Sequence, residues 1–161
     1  MKEFLLTSLE ERINSKVKGT RLVYRWDPKN KVNFHKYIDK VGQLVVIVRL
    51  INGYTLAAWS EGGFSPSTTP SHDGLLLSLT NRKVFRLLQA NHRAVAYDDF
   101  FLIFGNSELR LKTGEKGVFS NFGVQNAFYN CSGEKVGTLL GAGTEREVDL
   151  LNYEIFSLKL Q

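Results

Sequence analysis

The chain has 161 residues, of which 43% are hydrophobic and 23% charged, with 14 glycines and 3 prolines. That length is enough for one domain with a real core, since a domain near this size buries roughly 70% of the surface its unfolded chain exposes. The composition excludes the disordered, collagen-like and membrane classes, and a formal net charge of +5 sets a mild basic bias.

The bias is unevenly placed. Residues 1–40 hold ten Lys/Arg against five Asp/Glu, while residues 41–161 hold eleven of each. The whole excess therefore sits in the first quarter and points to a partner with an acidic surface. There is no Lys/Arg run and no aromatic RNA-binding motif, so nucleic acid is not expected as a partner. A single cysteine, Cys131, rules out an internal disulfide and a zinc site built on several thiolates, and suits a reducing compartment. The first residues are too acidic, and their apolar run too short, for a secretory or mitochondrial leader, and the run Leu44–Val48 is far below a bilayer span. A cytoplasmic protein without membrane insertion is the expectation.

In chain order, Leu5, Leu9 and Ile13 recur at a spacing of four, which predicts an apolar helix stripe that docks on a sheet. Residues 1–19 are expected as a leading helix packed on a single domain spanning 1–161, with Lys18-Gly19-Thr20 ending that region. Leu22–Trp26 follows as a strand before the turn signal Asp27-Pro28-Lys29-Asn30. Phe34, Tyr37, Ile38 and Val41 fall at i, i+3, i+4 and i+7, predicting a second helix that Gly42 stops. Asn52-Gly53 between the runs Leu44–Val48 and Tyr54–Trp59 predicts a hairpin with a type I′ turn.

Residues 60–74 read as the one long loop. Leu75–Asn81, Ala94–Tyr97, Phe100–Phe104 and Glu108–Leu111 read as further strands, with turns at 114–117 and 120–123. In the last segment Phe156, Leu158 and Leu160 alternate along one face of a half-buried strand. So many short strands predict an α+β, mainly β, fold: a two-sheet antiparallel β-sandwich flanked by helices.

The order Tyr24-Arg25, Phe34-His35, Asp39, Gly42, Asn52-Gly53-Tyr54, Leu77-Ser78-Leu79-Thr80-Asn81, Phe104-Gly105, Glu108-Leu109, Ser120-Asn121-Phe122-Gly123, Gly141 and Glu154-Ile155-Phe156 resembles the TLDc domain family over about residues 20–160. The resemblance implies a sandwich with no cofactor and no established catalytic centre, in a family linked to oxidative-stress resistance and to binding the vacuolar-type proton ATPase. The chain departs from the family pattern at Phe101-Leu102-Ile103, where Gly-Pro usually precedes the Phe-Gly, and at Asn152, where a Glu is usual.

Candidate chemistry is sparse. Ser71-His72-Asp73 cannot align as a triad, because adjacent residues do not place nucleophile, base and orienter in line. Asp98-Asp99 reads as a turn. His35, His72 and His92 lack ligand-spaced partners, so no metal is expected, and His35 is expected to bond a nearby acceptor. Cys131 reads as a buried inert thiol. Gly137–Gly143 lacks both the P-loop ending and the dinucleotide order, which leaves turns. Asn130-Cys131-Ser132 fits the glycosylation pattern only formally.

Aromatics beside loops can anchor protein interfaces, so Trp26 and Phe64, with the cations Arg25, Lys29 and Lys31, are the candidate contact residues; Trp59 is assigned to the core. The function expected is a non-enzymatic protein-interaction module without cofactor, docking on a multisubunit assembly such as the vacuolar-type proton ATPase, with a protective role in oxidative stress. The alternatives are a structural subunit of a cytoskeletal, ciliary or other large complex and, less favoured, a peroxide-handling or hydrolytic enzyme.

Overall fold

The computed structural model describes residues 1–29, 35–39, 41–64, 73–87, 95–97, 101–105, 108–112, 117–120, 134–135 and 137–161. Helix α1 spans Lys2–Ile13 and ends in Asn14, whose left-handed φ of 54° lets its N–H reach the Glu10 carbonyl. Asn is one of the few residues other than glycine that visits this conformation readily. Leu5 and Leu9 face inward as their spacing predicts.

Strand β1 spans Val17–Arg25 and so runs through Lys18-Gly19-Thr20, where an end was expected. A register shift between Val17 and Gly19 absorbs the irregularity, and the bulge keeps the chain paired. Helix α2 is described over His35–Ile38. Of the expected stripe, Ile38 is buried and Val41 packs on the core, Tyr37 is 42% exposed, and Phe34 lies outside the described residues.

Strands β2 (Leu44–Leu50) and β3 (Thr55–Ser60) pair antiparallel, as expected for a hairpin. The turn is of a different type from that predicted. Gly53 alone in it has positive φ, 86°; its N–H donates to the Leu50 carbonyl (3.1 Å), and the Leu50 N–H donates to the Tyr54 carbonyl (2.9 Å). This is the three-residue hairpin with a glycine bulge, which needs only one left-handed residue. The Asn52 side chain closes it locally by accepting from the Tyr54 N–H at 3.1 Å.

The remaining strands are β4 (Gly74–Ser78), β5 (Lys83–Arg86), β6 (Val95–Tyr97), β7 (Phe101–Phe104), β8 (Leu109–Lys112), β9 (Gly117–Phe119) and β10 (Glu147–Leu160). Nine strands form one antiparallel hydrogen-bonded path, β5-β4-β3-β2-β10-β9-β8-β7-β6, and β1 pairs beside it with β10. The fold is mainly β with two helices among the described residues. Two separate sheets, as expected from strand number, are not shown. The reason is the 14-residue length of β10: Glu147–Asp149 pair with β9 and Leu150–Ser157 with β2, so one strand joins the two halves.

Alternate side chains of the β2–β5 half serve two cores. Leu44, Val46, Val48, Leu56, Ala58 and Leu76 share one cluster with Leu102, Phe104, Leu109, Leu111 and Val118 from β7–β9. Their neighbours Val45, Ala57, Trp59, Leu75 and Leu77 meet Leu5 and Leu9 of α1. Strands β3 and β4 are thus buried on both faces, which is why they read as unbroken apolar runs. In β10 Tyr153 and Ile155 enter the main core, whereas Phe156 and Leu158 are partly buried on the α1 side, the half-buried shared face expected of that strand. Turns fill 137–141 as expected, with Leu139 and Leu140 buried beneath them.

Candidate functional site

The basic first quarter gathers around β1, with α1 packed on the face opposite the main core and α2 on the main-core face. Three of its cations are held by carboxylates. Arg12 grips Asp73 (Nη2 to Oδ1, 2.6 Å), Lys16 reaches Glu10 (2.8 Å), and Arg25 reaches Glu154 (2.7 Å). Lys2, Lys18, Arg21, Lys29 and Lys36 have no acidic partner among the described residues, and all are exposed. Lys31 lies outside the described residues. Among the described residues, these five exposed cations outnumber the exposed acids Glu3, Glu11 and Asp27 of the same segment.

Glu154 ties two arginines together. It stands opposite Arg25 on β1 and Ile47 on β2, so its carboxylate sits between Arg25 and Arg49, the latter at 3.0 Å and also 3.1 Å from Asn152 Oδ1. Burial alone would raise the Glu154 carboxyl, but hydrogen bonds from Arg49 and Arg25 and their charges outweigh it and hold the group below the usual carboxylate range. Two guanidinium groups share one carboxylate, so the cluster keeps a positive charge. Arg25, expected as a free contact residue, is tied into this cluster and remains exposed.

The aromatic part of the site is corrected. Trp26 is 7% exposed and Phe64 fully buried, so neither offers contact area to a partner. The Trp26 N–H donates to the Tyr153 carbonyl (2.9 Å), which extends the β1–β10 pairing past Arg25 and carries the indole into the core beside the Tyr153 ring, with centroids 6.3 Å apart. Phe64 is folded back by a turn in which the Gly63 N–H donates to the Ser60 carbonyl (3.2 Å), and its ring meets Phe104 edge-on at 5.5 Å. Trp59 is a core residue as assigned.

The aromatic that does face outward is Tyr37. Its ring lies 6.0 Å from Tyr24 and carries the Lys36 ammonium 4.8 Å from its centroid. Leu22 on β1 is 41% exposed, which places apolar area among the free cations. Sequence reasoning missed Tyr37 because it counted the residue in a helical stripe, whereas α2 turns His35 and Ile38 inward and leaves Tyr37 facing out. Burial is the main reason the Tyr24 and Tyr153 phenols both lie above the ordinary tyrosine range, Tyr153 far above it.

Lys29 is exposed in a turn where its N–H donates to the Asp27 carboxylate (2.9 Å). His35 is buried, with Nδ1 3.4 Å from Asp39 Oδ1. Asp73 of the Ser71-His72-Asp73 run is taken up by Arg12. Ser71, His72, His92, Asp98, Asp99, Asn130, Cys131 and Ser132 lie outside the described residues. Among the described residues no three His, Cys, Asp or Glu side chains are grouped to hold a metal ion, and no helix is long and apolar enough to cross a membrane. A scan against protein-family models matched none of them, and a search of curated proteins returned no match.

Proposed function

We propose that this chain is a non-enzymatic protein-interaction module of the TLDc type, which docks through its basic N-terminal quarter on an acidic face of a multisubunit assembly. The observation that carries the reading is that, among the described residues, five cations on α1, β1, the Asp27 turn and α2 are exposed and have no acidic partner, on the same stretch of chain as the exposed Leu22 and Tyr37. Cations around a small apolar area are what an acidic partner selects: the charges steer encounter and the apolar contacts slow release. By resemblance, the vacuolar-type proton ATPase is the first candidate partner, with protection against oxidative stress as the outcome.

The finer architecture belongs to the same reading. A two-sheet sandwich is supported by the single cluster that contains side chains from both halves of the strand path, with β10 shared between the halves. The test is capture of the purified cytosolic sector of the vacuolar-type ATPase by wild-type protein and by a Lys18→Glu/Arg21→Glu/Lys29→Glu variant. Wild-type capture that falls as salt rises, and is lost in the variant with unchanged melting, supports the reading. Equal capture by both proteins, or none by either, refutes it.

A further inference from the structure

A groove of about 390 Å³ runs along α1 on the sheet face opposite the main core. Its wall is the helix stripe that includes Leu6 and Leu9, and its floor includes Val45, Ile47, Phe156 and Leu158 from β2 and β10. The volume falls in the roughly 300–1,000 Å³ range of small-molecule sites. Lining of this kind, apolar along its length, leaves the polar residues to decide what enters.

The charged ones gather at one end. Arg49 stands opposite Thr55, whose carbonyl accepts the Leu79 N–H at 2.9 Å, and Leu79 lines the groove together with Lys2. The other end of α1 is pinned by Arg12 to Asp73, beside Gly74, which pairs with Ser60, which in turn pairs with Leu44. Lys2 and Arg49 are therefore at the same mouth, whereas Leu9, Val45 and Leu158 lie toward the other end, where the uncharged Thr20 stands opposite Leu158. Lys2 has no acidic partner among the described residues. Arg49 shares Glu154 with Arg25, so that cluster contributes an uncompensated positive charge as well. Glu154 is the one acid facing Arg49 among the described residues, and Glu3, next to Lys2, is one helix position off the lining stripe.

We propose that this groove binds a single-chain fatty carboxylate, its alkyl chain lying along the Leu6–Ile47–Phe156 floor and its head group at Lys2 and Arg49. An apolar trough with a cationic mouth matches an anionic amphiphile at both ends. It is too small to seat a folded partner, which needs roughly 800 Å² from each side. The inference is independent of the docking reading above.

The experiment is calorimetric titration with decanoate and dodecanoate below their micelle concentrations, with dodecanol as the uncharged comparison. Expected are one-to-one saturable binding, a loss of roughly threefold to fourfold per methylene removed, and weaker binding of dodecanol. Lys2→Glu, a change at an exposed position, is expected to weaken dodecanoate about fivefold at low salt and leave dodecanol unchanged. Leu6→Gln, checked by its melting curve, weakens both ligands. Absence of saturable binding, affinity that ignores chain length, equal affinity for acid and alcohol, or binding to vesicles alone overturns the proposal.

Discussion

Replacing Leu9 with Ala tests whether α1 is an integral part of the fold. Leu9 is fully buried and lies among Val45, Ala57, Trp59, Leu75 and Leu77. Removing three methyl and methylene carbons from such a site costs the lost transfer energy plus a cavity term, a combined 2–5 kcal/mol in general. Here the helix is held on one side only, beside an open groove, and can settle partly into the space. The lower half, about 2–3 kcal/mol, is therefore expected. For a domain of this size that corresponds to a fall in Tm of roughly 5–10 °C. Urea unfolding followed by tryptophan fluorescence measures it, because Trp59 sits in the same cluster. An unchanged m-value is expected, since the surface exposed on unfolding is the same. A loss under 0.5 kcal/mol would refute the docking of α1 described here. A large fall in m would refute it differently, by showing that the helix had already left the sheet in the native state.

Three further outcomes follow from the geometry. Glu154 has its carboxyl lowered by two guanidinium groups, so its stabilisation is present above the unfolded-state value near 4.5 and is lost as pH falls through the lower folded value. Glu154→Gln is accordingly expected to flatten stability against pH in the acid limb, by about 1 kcal/mol or less for a partly exposed cluster; an unchanged acid limb in urea melts would contradict this. Tyr24 and Tyr153 are raised, chiefly by burial, so the unfolded chain ionises them first and stability declines as pH climbs above about 10. Absorbance titration should show the Tyr24 phenol ionising later than an exposed tyrosine and the Tyr153 phenol only with unfolding, and Tyr153→Phe should remove that last step. Gly141 has φ of 67°, and a Cβ there would run into the Tyr54 ring. Gly141→Ala should therefore cost about 1–3 kcal/mol, and a neutral effect in thermal melts would mean the turn relaxes freely.

What was legible in the sequence was whatever a local period encodes. The α1 stripe is an example: Leu5 and Leu9 recur at helical spacing and are buried where that spacing puts them. The hairpin position followed from Asn52-Gly53, yet the turn type did not, because a bulged three-residue turn and a two-residue turn both want glycine. Strands β5 and β9 escaped notice for a different reason. Lys83–Arg86 places charge at both ends of a four-residue strand that pairs with the adjacent β4, and Gly117–Phe119 begins with a turn residue and pairs with β8 and the distant β10; strands of three or four residues are too short for an alternation to show.

The contact site shows the same division between what composition encodes and what topology decides. Composition located the cationic surplus correctly, because charge belongs to residues wherever the chain takes them. Which aromatic meets solvent depends instead on the fold around it. One hydrogen bond from the Trp26 N–H to the Tyr153 carbonyl extends the ladder by a residue, and that extension is enough to turn an indole beside a loop into core. Tyr37 goes the other way because α2 turns His35 and Ile38 inward and leaves it facing out. Strand pairing decides the one and helix phase the other, and composition records neither.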